Sequence, residues 1–82
     1  EELAGQWEIY PNPANSVLSI ENHSGLNITK LEVLDINGKV VIDAKWANQL
    51  QNDIDVSQLQ TGMYLIKLNL ENQTLTKRFI KQ

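Results

Sequence analysis

The run Met63-Tyr64-Leu65-Ile66-Lys67-Leu68-Asn69-Leu70 constrains the fold more than any other segment of this chain. Tyr64, Ile66, Leu68 and Leu70 form one alternating set, and Met63, Leu65, Lys67 and Asn69 the other, which turns polar toward its end. A helix cannot bring the first set onto one face, because its period is 3.6; a strand does so by its pleat. Glu71-Asn72-Gln73 then reads as a short turn and Thr74 to Lys81 as a partner strand, so the last twenty residues predict a hairpin. Phe79 and Ile80 are adjacent, so one must point outward, and the pattern leaves open which.

The same period recurs upstream. Ile28 to Ile36 and Lys39 to Ala44 read as strands joined by Asn37-Gly38, two residues that tolerate the positive φ of a type I′ turn. Leu31 and Val33 are expected in the core, opposite Val40 and Ile42. Val17 to Ile20 is a short strand with Leu18 and Ile20 inward. Gln6 to Tyr10 is another, ended by Pro11-Asn12-Pro13, whose prolines cannot continue a ladder and are expected to hold the chain extended. Ile54 to Ser57 alternates, with Leu59 following as a plug. Lys45 to Asn52 is polar apart from Trp46, Ala47 and Leu50 and reads as a loop; Glu21 to Gly25 reads as an exposed turn. Six or seven short strands, and no segment of helical period, predict an all-β fold: an immunoglobulin-like antiparallel β-sandwich.

A chain of 82 residues predicts one domain, 1–82, with Glu1 to Gln6 as linker. Such a domain buries roughly 60–65% of its unfolded surface, which leaves little interior for an enclosed pocket. The net charge of −3 argues against a duplex-binding face. With no cysteine there is no disulfide, thiolate nucleophile or Cys-based zinc site. No apolar run approaches the ~18 residues of a membrane span. The first six residues lack a signal-peptide pattern, so an export signal is expected on a longer precursor or elsewhere in the chain.

Catalytic groups are sparse. The single histidine, His23, reads as a solvated loop residue; a nucleophilic mechanism would need it beside a serine in space. Asp53 and Asp55 share a strand face and Asp35 and Asp43 flank the Asn-Gly turn, whereas glycosidase chemistry needs two carboxyls across a cleft. Asp35-Ile36-Asn37-Gly38 looks like part of a calcium loop but lacks the later ligands, so a plain turn explains it better. No cofactor or metal is expected. Three sequons, at Asn22, Asn27 and Asn72, matter only in a glycosylating host. The main chemical alternative is a carbohydrate-binding or adhesion module on a secreted enzyme, with Trp46, set in a polar loop, as the candidate for stacking on a sugar ring. Trp7 and Tyr64 alternate with aliphatics and read as core.

Four groups of residues remain: Tyr10-Pro11-Asn12-Pro13, Asn37-Gly38-Lys39-Val40-Val41, Gly62-Met63-Tyr64 and Lys77-Arg78-Phe79-Ile80-Lys81. In this order and spacing, with Asp35 to Lys39 as Asp-x-x-Gly-Lys, and Asp55-Val56-Ser57 and Leu59 between, the chain resembles the C-terminal sorting domain of type IX secretion, type A, of Gram-negative Bacteroidota. The resemblance spans about residues 9 to 82. It implies a non-catalytic export signal, carried at the end of a cargo protein and recognised in the periplasm by an outer-membrane translocon. A cell-surface sortase then commonly removes it, leaving the cargo secreted or at the cell surface. By resemblance, Pro11, Asn12, Pro13, Gly38, Lys39, Gly62, Tyr64, Lys77, Arg78 and Lys81 are the motif and candidate recognition residues. The physical reading beside it is that the last hairpin lies near a sheet edge open to β-augmentation, with Lys77, Arg78 and Lys81 supplying charge steering or edge protection.

Overall fold

The computed structural model describes residues 7–23, 27–44, 51–70 and 73–82, with the backbone alone for Gln51. Seven strands follow one another: β1 (Trp7–Tyr10), β2 (Val17–Asn22), β3 (Ile28–Leu34), β4 (Val40–Ala44), β5 (Gln51–Asp55), β6 (Gly62–Leu70) and β7 (Thr74–Lys81). They make two antiparallel sheets, β1-β2-β5 and β4-β3-β6-β7, packed as a sandwich of the immunoglobulin kind.

Alternation places the core. Trp7, Leu18, Ile20 and Ile54 point inward from the three-stranded sheet and meet Leu31, Val33, Tyr64, Ile66, Leu68 and Phe79 from the other. Leu59 packs against this cluster from the β5–β6 connection, as a plug would. The ambiguity in the last strand resolves in favour of Phe79, which is fully buried, while Ile80 stays 40% exposed.

The β3–β4 turn departs from the sequence reading. Gly38 N–H donates to Asp35 O (3.0 Å) and Asp35 N–H to Lys39 O (2.9 Å), so the loop holds three residues, Ile36 to Gly38. The Asp35 carboxylate accepts the amides of Asn37 (2.9 Å) and Lys39 (3.0 Å), which favours a type I turn beginning one residue earlier than the expected type I′. Gly38 then takes the left-handed position, φ +85°, that follows such a turn in three-residue hairpin loops.

Val40 is a second correction. Val33 pairs with Ile42 but Leu34 pairs with Val40, so Val41 is an extra residue. This β-bulge resets the alternation. Ile42 packs on the core as expected, but Val40 and Val41 are both exposed.

Several boundaries also move: β3 ends at Leu34 and not Ile36, β4 begins at Val40 and not Lys39, and β5 ends at Asp55 and not Ser57. Glu21 and Asn22 belong to β2 and not to an exposed turn, and Asn22, opposite Trp7, is buried. Gln51 and Asn52 begin β5, because β2 is long enough to pair with them. Residues 11–13 bend instead of continuing extended: β1 pairs with β2 in one sheet, whereas Ala14 bridges Lys81 in the other. Both X-Pro bonds there are cis. The expected linker 1–6, most of the expected loop at 45–50 with Trp46, and the sequon at Asn72 lie outside the described residues.

Candidate functional site

The crossing segment delivers Asn12 and Ala14 to the outer edge of β7. Asn12 Oδ1 accepts the Ile80 amide (2.9 Å), Ala14 N–H donates to Ile80 O (2.8 Å) and Gln82 N–H donates to Ala14 O (2.8 Å). An asparagine side chain between two prolines thus completes a strand edge that no further strand covers among the described residues. On the inner side of β7, Lys81 lies opposite Gly62 and Phe79 opposite Tyr64. The Tyr64 and Phe79 rings stack at 5.7 Å, and the Tyr64 hydroxyl donates to Gln60 O (2.7 Å), which anchors the β5–β6 connection. Gly62 takes φ +157° with no atom within 4 Å of the position a Cβ would occupy, so backbone angle and not space is what a larger residue would strain.

Two shallow depressions mark this end of the sandwich. One is lined by Asn12, Met63, Lys77, Arg78, Phe79 and Ile80. The other is lined by Asp35, Ile36 and residues 60–64. They share Met63, so the β3–β4 turn, the Gly62-Met63-Tyr64 segment, the Pro-Asn-Pro crossing and the last strand gather at one pole. Gly38 and Lys39 belong to that turn and are exposed. Positions as far apart as 12 and 80 are neighbours there.

The three basic residues of β7 do not form one patch. Phe79 in the core sets the alternation, and Leu75, Lys77 and Lys81 share its inward face. Lys77 reaches across the sandwich: its Nζ donates to Trp7 O (2.8 Å) and lies 5.3 Å from the centroid of the Trp7 ring. Lys81 is 7% exposed, and its Nζ donates to Gln82 O (2.8 Å). Arg78 alone projects outward into solvent. A long aliphatic stem lets lysine occupy an inward position while its charge finds an acceptor, a fact that charge counting along the sequence misses.

The remaining polar candidates are spread over both sheets, with Glu21, Tyr10, Ser19 and Asp53 on the three-stranded one. Glu21 accepts the Tyr10 hydroxyl and faces His23 Nε2 at 3.0 Å. The Tyr10 bond, then the His23 bond, hold the Glu21 carboxyl below its usual range, and the same bond to Glu21 raises the Tyr10 phenol. Ser19 donates to Asp53 (2.7 Å). The Ser57 hydroxyl and amide both donate to Asp55 and lower its pKa, opposite to what a general acid requires. Asp43 faces Lys30 at 3.7 Å, and Asp35 is engaged by its own turn. Among the described residues no group of three or more His, Cys, Asp or Glu side chains is placed to hold a metal.

No curated protein matches the chain. The family model described as the secretion system C-terminal sorting domain matches residues 8–82.

Proposed function

The chain belongs to the secretion system C-terminal sorting domain family, and from that premise we propose that it acts by being recognised and performs no chemistry itself. It directs a larger N-terminal cargo through the outer-membrane translocon of type IX secretion, by way of the periplasm, to the cell surface. A sortase then removes it. The observation that supports a recognition role is the convergence of motif residues from both ends of the chain at one pole: Asn12 on Ile80, Gly62 beside Lys81, and Tyr64 on Phe79. A surface composed this way exists only once the strands have assembled.

The test is a fusion of residues 1–82 to a periplasmic reporter in a host with this secretion system and in a strain lacking its translocon. Reporter at the surface or in the medium of the first strain only is the expected result. Periplasmic retention of a fusion whose domain is folded would refute the proposal.

A further inference from the structure

The outer edge of β7 is closed at one end and open at the other. In an antiparallel ladder the backbone groups of alternate residues face alternate sides. Leu70 N–H donates to Gln73 O, which places the residues at 75, 77, 79 and 81 in bonded pairs with β6. The N–H and C=O of 74, 76, 78 and 80 therefore face away from β6. Those of Ile80 are taken by Asn12 and Ala14. Those of Thr74, Thr76 and Arg78 have no partner strand among the described residues, since β7 ends its sheet. Beside them lies the depression lined by Asn12, Met63, Arg78 and Ile80, whose apolar floor comes from Met63 (41% exposed) and Ile80.

We propose that Thr74 to Arg78 of β7 is a docking edge for an acidic, extended segment of the secretion machinery. The segment pairs with the outward backbone groups as an added strand and sets a carboxylate against Arg78. The charge follows from what surrounds this edge. On β6, the strand next to this edge, the residue opposite Thr76 is Lys67, and Arg78 makes no ion pair among the described residues; the carboxylates of this sheet lie farther off, Glu32 on β3 engaged by Asn69 and Lys30, and Asp43 on β4 by Lys30. The Lys77 ammonium is held by Trp7, so Arg78 is the outward cation of β7 itself, with Lys67 of β6 opposite Thr76 beside it. Asn12 and Ala14 form the stop that fixes the register of the incoming strand. This inference rests on the sorting function proposed above.

Binding is read by amide shifts of the ¹⁵N-labelled 82-residue chain, titrated with heptapeptides of alternating Thr and Val whose central residue is Glu, Gln or Lys. The Glu peptide is expected to shift Thr76 and Arg78 and to bind roughly fivefold tighter than the Gln peptide, with the Lys peptide weakest. Arg78→Glu is expected to reverse that order. Thr76→Pro removes an outward N–H and no bond to β6, so it is expected to abolish binding of all three peptides while β6 resonances stay in place. Absence of binding, shifts confined to β4 or β1, or an order indifferent to Arg78→Glu would overturn the proposal; the charge swap decides even where Thr76→Pro unfolds. In the reporter assay, export of wild type and Thr76→Pro alike refutes the edge alone, whereas retention of wild type refutes the sorting function.

Discussion

The Lys77 ammonium, 2.8 Å from the Trp7 carbonyl and over the Trp7 ring, ties the last strand to the first across the sandwich. A hydrogen bond from a charged donor contributes about 1.5–3 kcal/mol when partly shielded, and a cation over an indole about 0.5–1 kcal/mol more. Lys77→Met keeps the stem and loses both. It is expected to destabilise the domain by about 2 kcal/mol, read as a lower urea midpoint with an unchanged slope. Arg78→Gln, on an outward side chain of the same strand, is expected to move the midpoint by under about 0.5 kcal/mol. Equal effects of the two substitutions would mean that the Lys77 clasp contributes nothing to stability. Adjacent basic residues with opposite orientations therefore have separable roles, one in holding the sandwich and one at its surface.

At the scale of elements, carboxylates on the outer faces brace neighbouring strands, Glu21 toward Tyr10 of β1 and Glu32 toward Asn69 of β6, while Asp55 holds the turn that follows its own strand. Glu21 is held below its ordinary 4.5 by Tyr10 and His23, Glu32 below 4.5 by Asn69 and Lys30, and Asp55 below 3.8 by Ser57. A carboxyl whose folded pKa is depressed stabilises the fold above its unfolded pKa and loses that contribution as pH falls through the folded value. The urea midpoint is thus expected to hold steady from neutral pH down to about 5 and to decline below about 4.5, with Glu21→Gln showing the shallower decline. The Tyr10 phenol, raised above 10.0, has the opposite sign: its contribution is complete below that value and is lost as alkaline pH passes the raised one. Elements were legible in the sequence wherever one alternating set was wholly apolar, as in β6 and in Leu18 and Ile20. They were not legible where parity is reset or side chains bind backbone. Val40, Val41 and Ile42 carry no mark of which is the bulge, because all three are β-branched and apolar. The turn register depended on the Asp35 carboxylate taking two amides, and the start of β5 on the reach of β2, which a local window cannot contain. Of the candidate site, the motif order was readable; the inward turn of Lys77 and Lys81 was not, since it depends on which of Phe79 and Ile80 the core accepts.

Across the whole molecule, the first and last described segments close on each other through Asn12 and Ala14 on Ile80 and Gln82, and through Lys77 on Trp7. A substitution in β7 therefore threatens two things at once, the sandwich and the surface it presents, and loss of export alone does not say which failed. Adjacent residues separate them. Phe79 is fully buried and stacked on Tyr64, so Phe79→Ala is expected to cost about 3–5 kcal/mol, a large share of the roughly 5–15 kcal/mol that holds a small domain together. At about 4–8 °C per kcal/mol, its melting temperature should drop by more than about 12 °C. Ile80 points outward into the groove beside Asn12 and Met63, so Ile80→Ser is expected to cost under about 1 kcal/mol and to leave the fold intact. If the pole is read as a surface, Ile80→Ser fusions should be retained in the periplasm with a native circular dichroism spectrum, and Phe79→Ala fusions retained in proportion to the unfolded fraction. Wild-type export of a folded Ile80→Ser fusion would instead mean that the pole serves the fold and that the translocon reads another face.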